Sequence, residues 1–170
     1  MIESFTDDYR FLSNFYYLDT PMKMRYGLCF KTNEHWYVAN KSKSLKWQKR
    51  VASHSLKGLK ALGRTVDIRD DWEQIKISVM AYGLAHKFSP TYNQSLYERL
   101  QSTCGLHIQE GNWWGDKFWG VCLKTGEGNN ILGKLIMEVR DNKDFNYLDY
   151  YGVETPVSYT HLTLPTTLPV

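Results

Sequence analysis

The sequence predicts an α+β domain: compact, mainly helical, with a small antiparallel sheet near its N-terminus. Three observations carry that expectation. Residues 9–32 ("YRFLSNFY", "MKMRYGLCFKT") mix aromatics with alternating polar positions, as half-buried strands do. From residue 33 onward, apolar residues recur at helical spacing, with capping residues before them and glycine or proline behind. A chain of 170 residues that is 42% hydrophobic and 23% charged also has the size and composition for one folded core rather than for disorder.

In order along the chain, Gly27 marks a turn between two extended segments. "TNEHWYVANKSKS" begins a helix, expected to carry past Lys41 and capped by Thr32 or Asn33. Glu34 falls in its first turn, where the helix dipole favours a negative charge. Residues 45–62 read as one or two short helices, broken near Ser53–Ser55 and ended by Gly63. "DIRDDWEQIKISVMAYGLAHKFSP" is the clearest helix. It places Trp72, Ile75, Val79 and Tyr82 on one side with Met80, Leu84 and Phe88 beside them; Asp70 or Asp71 can cap it, and Pro90 follows its end. A further helix covers residues 92–102, "LHIQE" reads as a short strand, and the Trp/Gly segment after it as a loop. "NNILGKLIMEVRD" closes the domain as an amphipathic helix with Ile131, Leu135 and Val139 on one stripe. The domain is expected over residues 1–150. In the remaining 151–170, "TPVSYTHLTLPTTLPV" carries no charge and no periodicity. It reads as a disordered terminus or as a non-native segment resembling translated sequencing-adapter DNA.

Several function classes find no support. A net charge of +3 is too small to argue for nucleic acid by itself, though it suits a phosphate-bearing ligand. Cys29, Cys104 and Cys122 are widely spaced and form no CxxC pair, so reduced thiols in a cytoplasmic protein are expected, with no metal site. No apolar run approaches ~20 residues, so no membrane partner is expected, and "MIESFTDD" lacks the regions of a signal peptide. "KTGEGNN" is neither a P-loop nor a dinucleotide fingerprint, GxSxG and HExxH are absent, and no cofactor is expected.

Some residues stand out chemically. Glu34 and Lys41 are seven apart on the expected helix, so they return to nearly the same face ~10 Å apart along the axis. They either flank a ligand or are two solvated charges. Arg69, just ahead of the long helix, can hold a phosphate at the helix N-terminus or pair with Asp71; Trp72 is a ligand stacker or a core residue. "EGNWWGDKFWG" crowds three tryptophans and three glycines around Asp116. A partly desolvated carboxylate there would suit proton transfer; otherwise the aromatics plug one end of the core. His35 reads as a packed, hydrogen-bonded histidine.

The order of "FLSNFY", "NEHWYVANK", "GRTVDIRDDWEQIKISVMAYGLAHKF", "EGNWWGDKFWG" and "GEGNNILGKLIMEVR" resembles the NADAR family over roughly residues 5–141. The resemblance implies a mixed α/β domain with more helix than strand. It also implies hydrolysis of an N-glycosidic bond between a ribose C1 and a base or amine nitrogen. The implied substrates are phosphorylated ribosylamino-pyrimidines of riboflavin synthesis, or ADP-ribose on guanine in nucleic acid. It carries catalytic roles onto Glu34, Lys41 and Asp116, and substrate binding onto Asn14, Phe15, Arg69, Trp72, Trp114, Trp119 and Asn130. One departure is Ala39, where many relatives have glutamine. Glu34 and Asp116 would divide the acid and base roles, while Lys41 is either a Schiff-base nucleophile or a phosphate grip. Two alternatives remain: a non-catalytic NAD- or ADP-ribose-binding sensor module, and a nucleic-acid-binding module using the run "NKSKSLKWQKR".

Overall fold

The computed structural model describes residues 1–153. The expectation for the tail therefore falls, from residue 154 on, outside the described residues. Strand β1 (Tyr17–Lys23) pairs antiparallel with β2 (Cys29–Thr32), and Gly27 turns the chain between them at φ +72°. Their register is irregular between Tyr17 and Met22, the segment that contains Pro21, which has no N–H for a ladder. Side chains take over there. Thr20 donates its N–H to Asn93 Oδ1 at 2.9 Å, and its carbonyl lies 2.9 Å from His86 Nε2.

The first helix, α1 (Asn33–Ala39), leaves β2 directly. Thr32 caps it by accepting the His35 N–H. It ends two residues short of Lys41, which lies in the turn beyond, with its N–H on the Val38 carbonyl. The expected shared helix face of Glu34 and Lys41 is thus replaced by a helix and its C-terminal turn. Helices α2 (Leu45–Ser53) and α3 (Leu59–Gly63) follow, with the break and the glycine stop where the sequence places them.

Helix α4 (Trp72–Lys87) runs through the middle of the domain. The one-sided face expected for it is corrected. Tyr82 is 39% exposed and stacks on Trp36, whereas Ser78, Gly83 and Lys87 are buried. The reason is its surroundings: α1, the sheet, the terminal helix and the turn at Tyr147–Tyr150 all pack on it. Gly83 permits the closest of these approaches, since a Cβ there would stand 1.8 Å from Asn33 Oδ1 on α1.

After α5 (Gln94–Gln101), residues 106–110 form only a bridge between Ile108 and Ile2; the paired strands are β3 (Gly111–Asn112) and β4 (Val121–Cys122), which are parallel. The strand expected at 106–110 gives way to a side chain from further along the chain. Asn130 takes the Ile108 carbonyl and the Glu110 N–H, both at 2.9 Å, and removes them from any ladder. Asn130 also starts α6 (Ile131–Asp141) from a left-handed conformation, φ 52° and ψ 41°. Ile131, Leu132, Leu135 and Ile136 complete the core, with Val139 partly buried at its margin. Among the described residues no helix is long and apolar enough to cross a membrane.

Candidate active site

A cavity of ≈ 90 Å³ opens where α1, α4, α6 and the Trp/Gly loop meet. Its lining includes three carboxyl side chains, Glu34, Glu110 and Asp116, with Lys60 of α3, Tyr37, Asn14 and Trp119. Each is set by its own local device. Asn14, 8% exposed, accepts from Asn33 Nδ2 at 2.9 Å, while its carbonyl receives the Glu34 N–H at 3.0 Å, so the turn before β1 and the start of α1 are locked together. Behind that turn lies Lys87, fully buried, whose Nζ donates to the Ser13 carbonyl at 2.6 Å. Burial pushes its amine down to about 7.

The Trp/Gly loop is clasped by Asn112. Its Oδ1 accepts the Asp116 N–H at 2.9 Å and its Nδ2 donates to the Asp116 carbonyl at 2.8 Å. Asp116 Oδ1 then accepts the N–H groups of Phe118 and Trp119, both at 3.0 Å, which fixes the carboxylate relative to the cavity. Gly120 makes room for Glu110: a Cβ at that position would stand 2.2 Å from the Glu110 carbonyl and 2.8 Å from Glu110 Oε2. That Oε2 is buried without a hydrogen-bond partner among the described residues.

The electrostatics follow from this crowding. Burial, reinforced by the Asp116 charge, pushes the Glu110 carboxyl up to about 8; Lys60 opposes this and Glu34 adds to it. Burial also raises Glu34, against the pull of Lys60 and Lys41. Glu110 therefore keeps its proton into the neutral range. Tyr37 stays a neutral phenol, raised first by burial and then by Glu34. Among the described residues no three His, Cys, Asp or Glu side chains are grouped to hold a metal ion.

Of the residues singled out in the sequence, Asn14, Phe15, Glu34, Asp116 and Trp119 line the cavity. Lys41 does not. Its Nζ lies over the Tyr37 ring, 5.4 Å from the centroid, and burial lowers its pKa although Glu34 opposes this. Arg69 forms a two-bond ion pair with Asp71 at 2.5 and 2.9 Å. Trp72 is 5% exposed and packs at 5.0 Å on Tyr37, which it supports from the core. Trp114 is 68% exposed at the rim. Asn130 holds the backbone of Glu110 rather than the cavity wall. Both His35 nitrogens are occupied, by Thr32 Oγ1 at 2.7 Å and the His54 carbonyl at 2.9 Å.

Glu110, Lys60 and Tyr37 were missed by sequence reasoning. Glu110 had a signal, because it opens the same "EGN…WGD" segment as Asp116. Lys60 had only its place in a lysine-rich stretch. Its Nζ lies 5.1 Å from both the Phe15 and the Trp114 ring centroids, forming a cation–aromatic rim.

The NADAR domain model matches residues 3–142. This chain belongs to the NADAR family. The NADAR domain is 31% identical over 145 residues to N-glycosidase YbiA of Shigella boydii, covering 81% of this chain and 84% of that protein. It is 30% identical over 139 residues to riboflavin biosynthesis protein VVA0006 of Vibrio vulnificus, covering 79% of this chain and 36% of that longer protein. Its fold is that of the Escherichia coli protein YbiA solved by NMR, with TM-score 0.69 and 29% identity over 83% of this chain and 85% of the other.

Proposed function

We propose that this NADAR domain is an N-glycosidase that hydrolyses the C1–N bond between a phosphorylated ribose, or ADP-ribose, and a base or amine. The observation that carries the reading is the grouping of three carboxyl side chains around a cavity of ≈ 90 Å³. A module that only bound an anionic ribosyl phosphate has no need of a buried proton donor beside two further carboxyls, whose negative charge would work against the phosphate. A catalyst uses them: C–N cleavage builds positive charge on the sugar and negative charge on the leaving nitrogen.

The roles follow from the environments. Glu110, protonated at neutral pH, donates its proton to the leaving nitrogen as the C1–N bond breaks. Glu34 and Asp116 lie against the developing sugar cation. Water then adds to C1, and one of these carboxylates takes its proton. Lys60, in the cavity wall, meets the ligand's negative charge. Lys41 has the lowered pKa that a Schiff-base nucleophile needs, but it sits over Tyr37 rather than in the cavity wall. The phosphorylated ribosylamino-pyrimidines are the first substrate class to test, and ADP-ribosylated guanine, free or in nucleic acid, is the second.

The test is incubation with both substrate types and detection of the released base and sugar by mass spectrometry, with and without borohydride. Base release without a trapped protein adduct is expected. Release from neither class would refute the reading, and a sugar adduct on Lys41 would move the first step from water to that amine.

A further inference from the structure

The reaction cavity is too small for what it is proposed to cleave. Its ≈ 90 Å³ lies well below the ~300–1,000 Å³ of sites that enclose a nucleotide-sized ligand, so most of such a substrate must lie outside it. Two residues of its wall, Ser13 and Phe15, are shared with a second cleft of ≈ 760 Å³. That cleft carries two guanidinium groups, Arg10 and Arg99, with Tyr16 and Phe5 among its rings. Arg99 is held in advance: Nη1 donates to the Tyr16 hydroxyl at 3.1 Å, Nη2 to the Asp8 carbonyl at 3.4 Å, and its Cζ lies 4.3 Å from the Phe11 ring centroid. It makes no ion pair among the described residues, and neither does Arg10, which is exposed.

We infer that this cleft is the subsite for the phosphate-bearing arm of the substrate, reached from the cavity past Phe15. The inference rests on the cavity being the N-glycosidase centre. A sugar seated in the cavity sends its phosphate past Phe15 toward Arg10 and Arg99, whose forked donors suit phosphate oxygens. Phe5 and Tyr16 offer ring surface to a base attached beyond the phosphate. Asp7 and Asp19, also in the cleft, repel phosphate but accept hydrogen bonds from sugar hydroxyls, so a ribose bearing the phosphate fits better than phosphate alone.

The probes are ribose 5-phosphate and ADP-ribose, whose binding is measured by calorimetry on wild type, Arg10→Gln, Arg99→Gln and the double variant. Base release by wild type is assayed in parallel. Each arginine change should weaken phosphate-bearing probes by about tenfold or more. Equal losses for both probes place a single phosphate in the cleft, and a loss confined to ADP-ribose places the distal nucleotide there. Arg10→Gln, on an exposed side chain, keeps the test valid if changes at Arg99 disturb folding. Unchanged affinity for both probes, with base release intact, overturns the cleft assignment and leaves the proposed activity standing. Absence of both binding and base release in wild type overturns the two together.

Discussion

The floor and the rim of the reaction cavity are built on opposite principles. The floor is buried and bonded: Asn33 and Lys87 are 0% exposed, Asn14 is tied to Asn33, and the Glu34 backbone is tied to Asn14. The rim is open: Trp114 is 68% exposed, and Lys60 bridges it to Phe15 through ring faces alone. Under the proposed function, rigid polar burial would fix the place of the chemistry, and exposed rings with a long flexible amine would adapt to what is bound. Changes in the floor should therefore act on turnover and stability, and changes at the rim on affinity.

The largest effect should come from the carboxyls themselves. Glu110→Gln and Glu34→Gln should each lower kcat by ~10²-fold or more while the fold persists by circular dichroism, because charge and proton are removed with little change of shape. Retained turnover in both would take these groups out of the mechanism. Next is the packing beneath them. Gly83→Ala drives a Cβ into Asn33 and should cost ~1–3 kcal/mol in denaturant melts, with a fall in kcat as Asn14 and Glu34 shift. A neutral result would mean that α1 and α4 are free to slide.

Lys87 allows a test of the floor by pH. Its folded-state value of about 7 lies below the ordinary lysine value of 10.5. Between those values the unfolded chain binds more protons than the native one, so the stability linked to this residue rises with pH from 7 to about 10 and is least below 7. The stability of wild type relative to Lys87→Met should rise over that window, on the order of 4 kcal/mol in total. A constant difference from pH 6 to 10 would show that the amine is not titrating in the core. The smallest effects belong to the rim. Lys60→Met and Trp114→Ala should raise KM by ~3–10-fold with kcat nearly unchanged; a matching fall in kcat would erase the distinction between floor and rim.

Much of this was legible in the sequence because it is local. The Thr32 cap, the break after α2, the stop at Gly63 and the extent of α4 follow from residues a few positions apart. The family order of motifs picks out Asn14, Glu34 and Asp116, which line one cavity, and Lys41, which does not. What escaped depends on contacts far along the chain. Asn130 dissolves the strand expected at 106–110 from twenty residues away. Lys87 reads as a C-terminal helix cation, and only the Ser13 carbonyl, 74 positions earlier, explains its burial. Glu110 shares its segment with Asp116, but its grouping with Glu34 and Lys60, far earlier in the chain, shows only in the folded cavity.

The alkaline limb of the pH–rate profile tests the central claim most directly. If Glu110 is the proton donor, kcat/KM for base release by wild type should fall as pH rises through about 8, where that carboxyl loses its proton. Glu110→Gln should be slower throughout and lack that limb. A wild-type profile flat from pH 6 to 9, or a glutamine variant that keeps the same alkaline fall, would contradict the assignment of Glu110 as the acid.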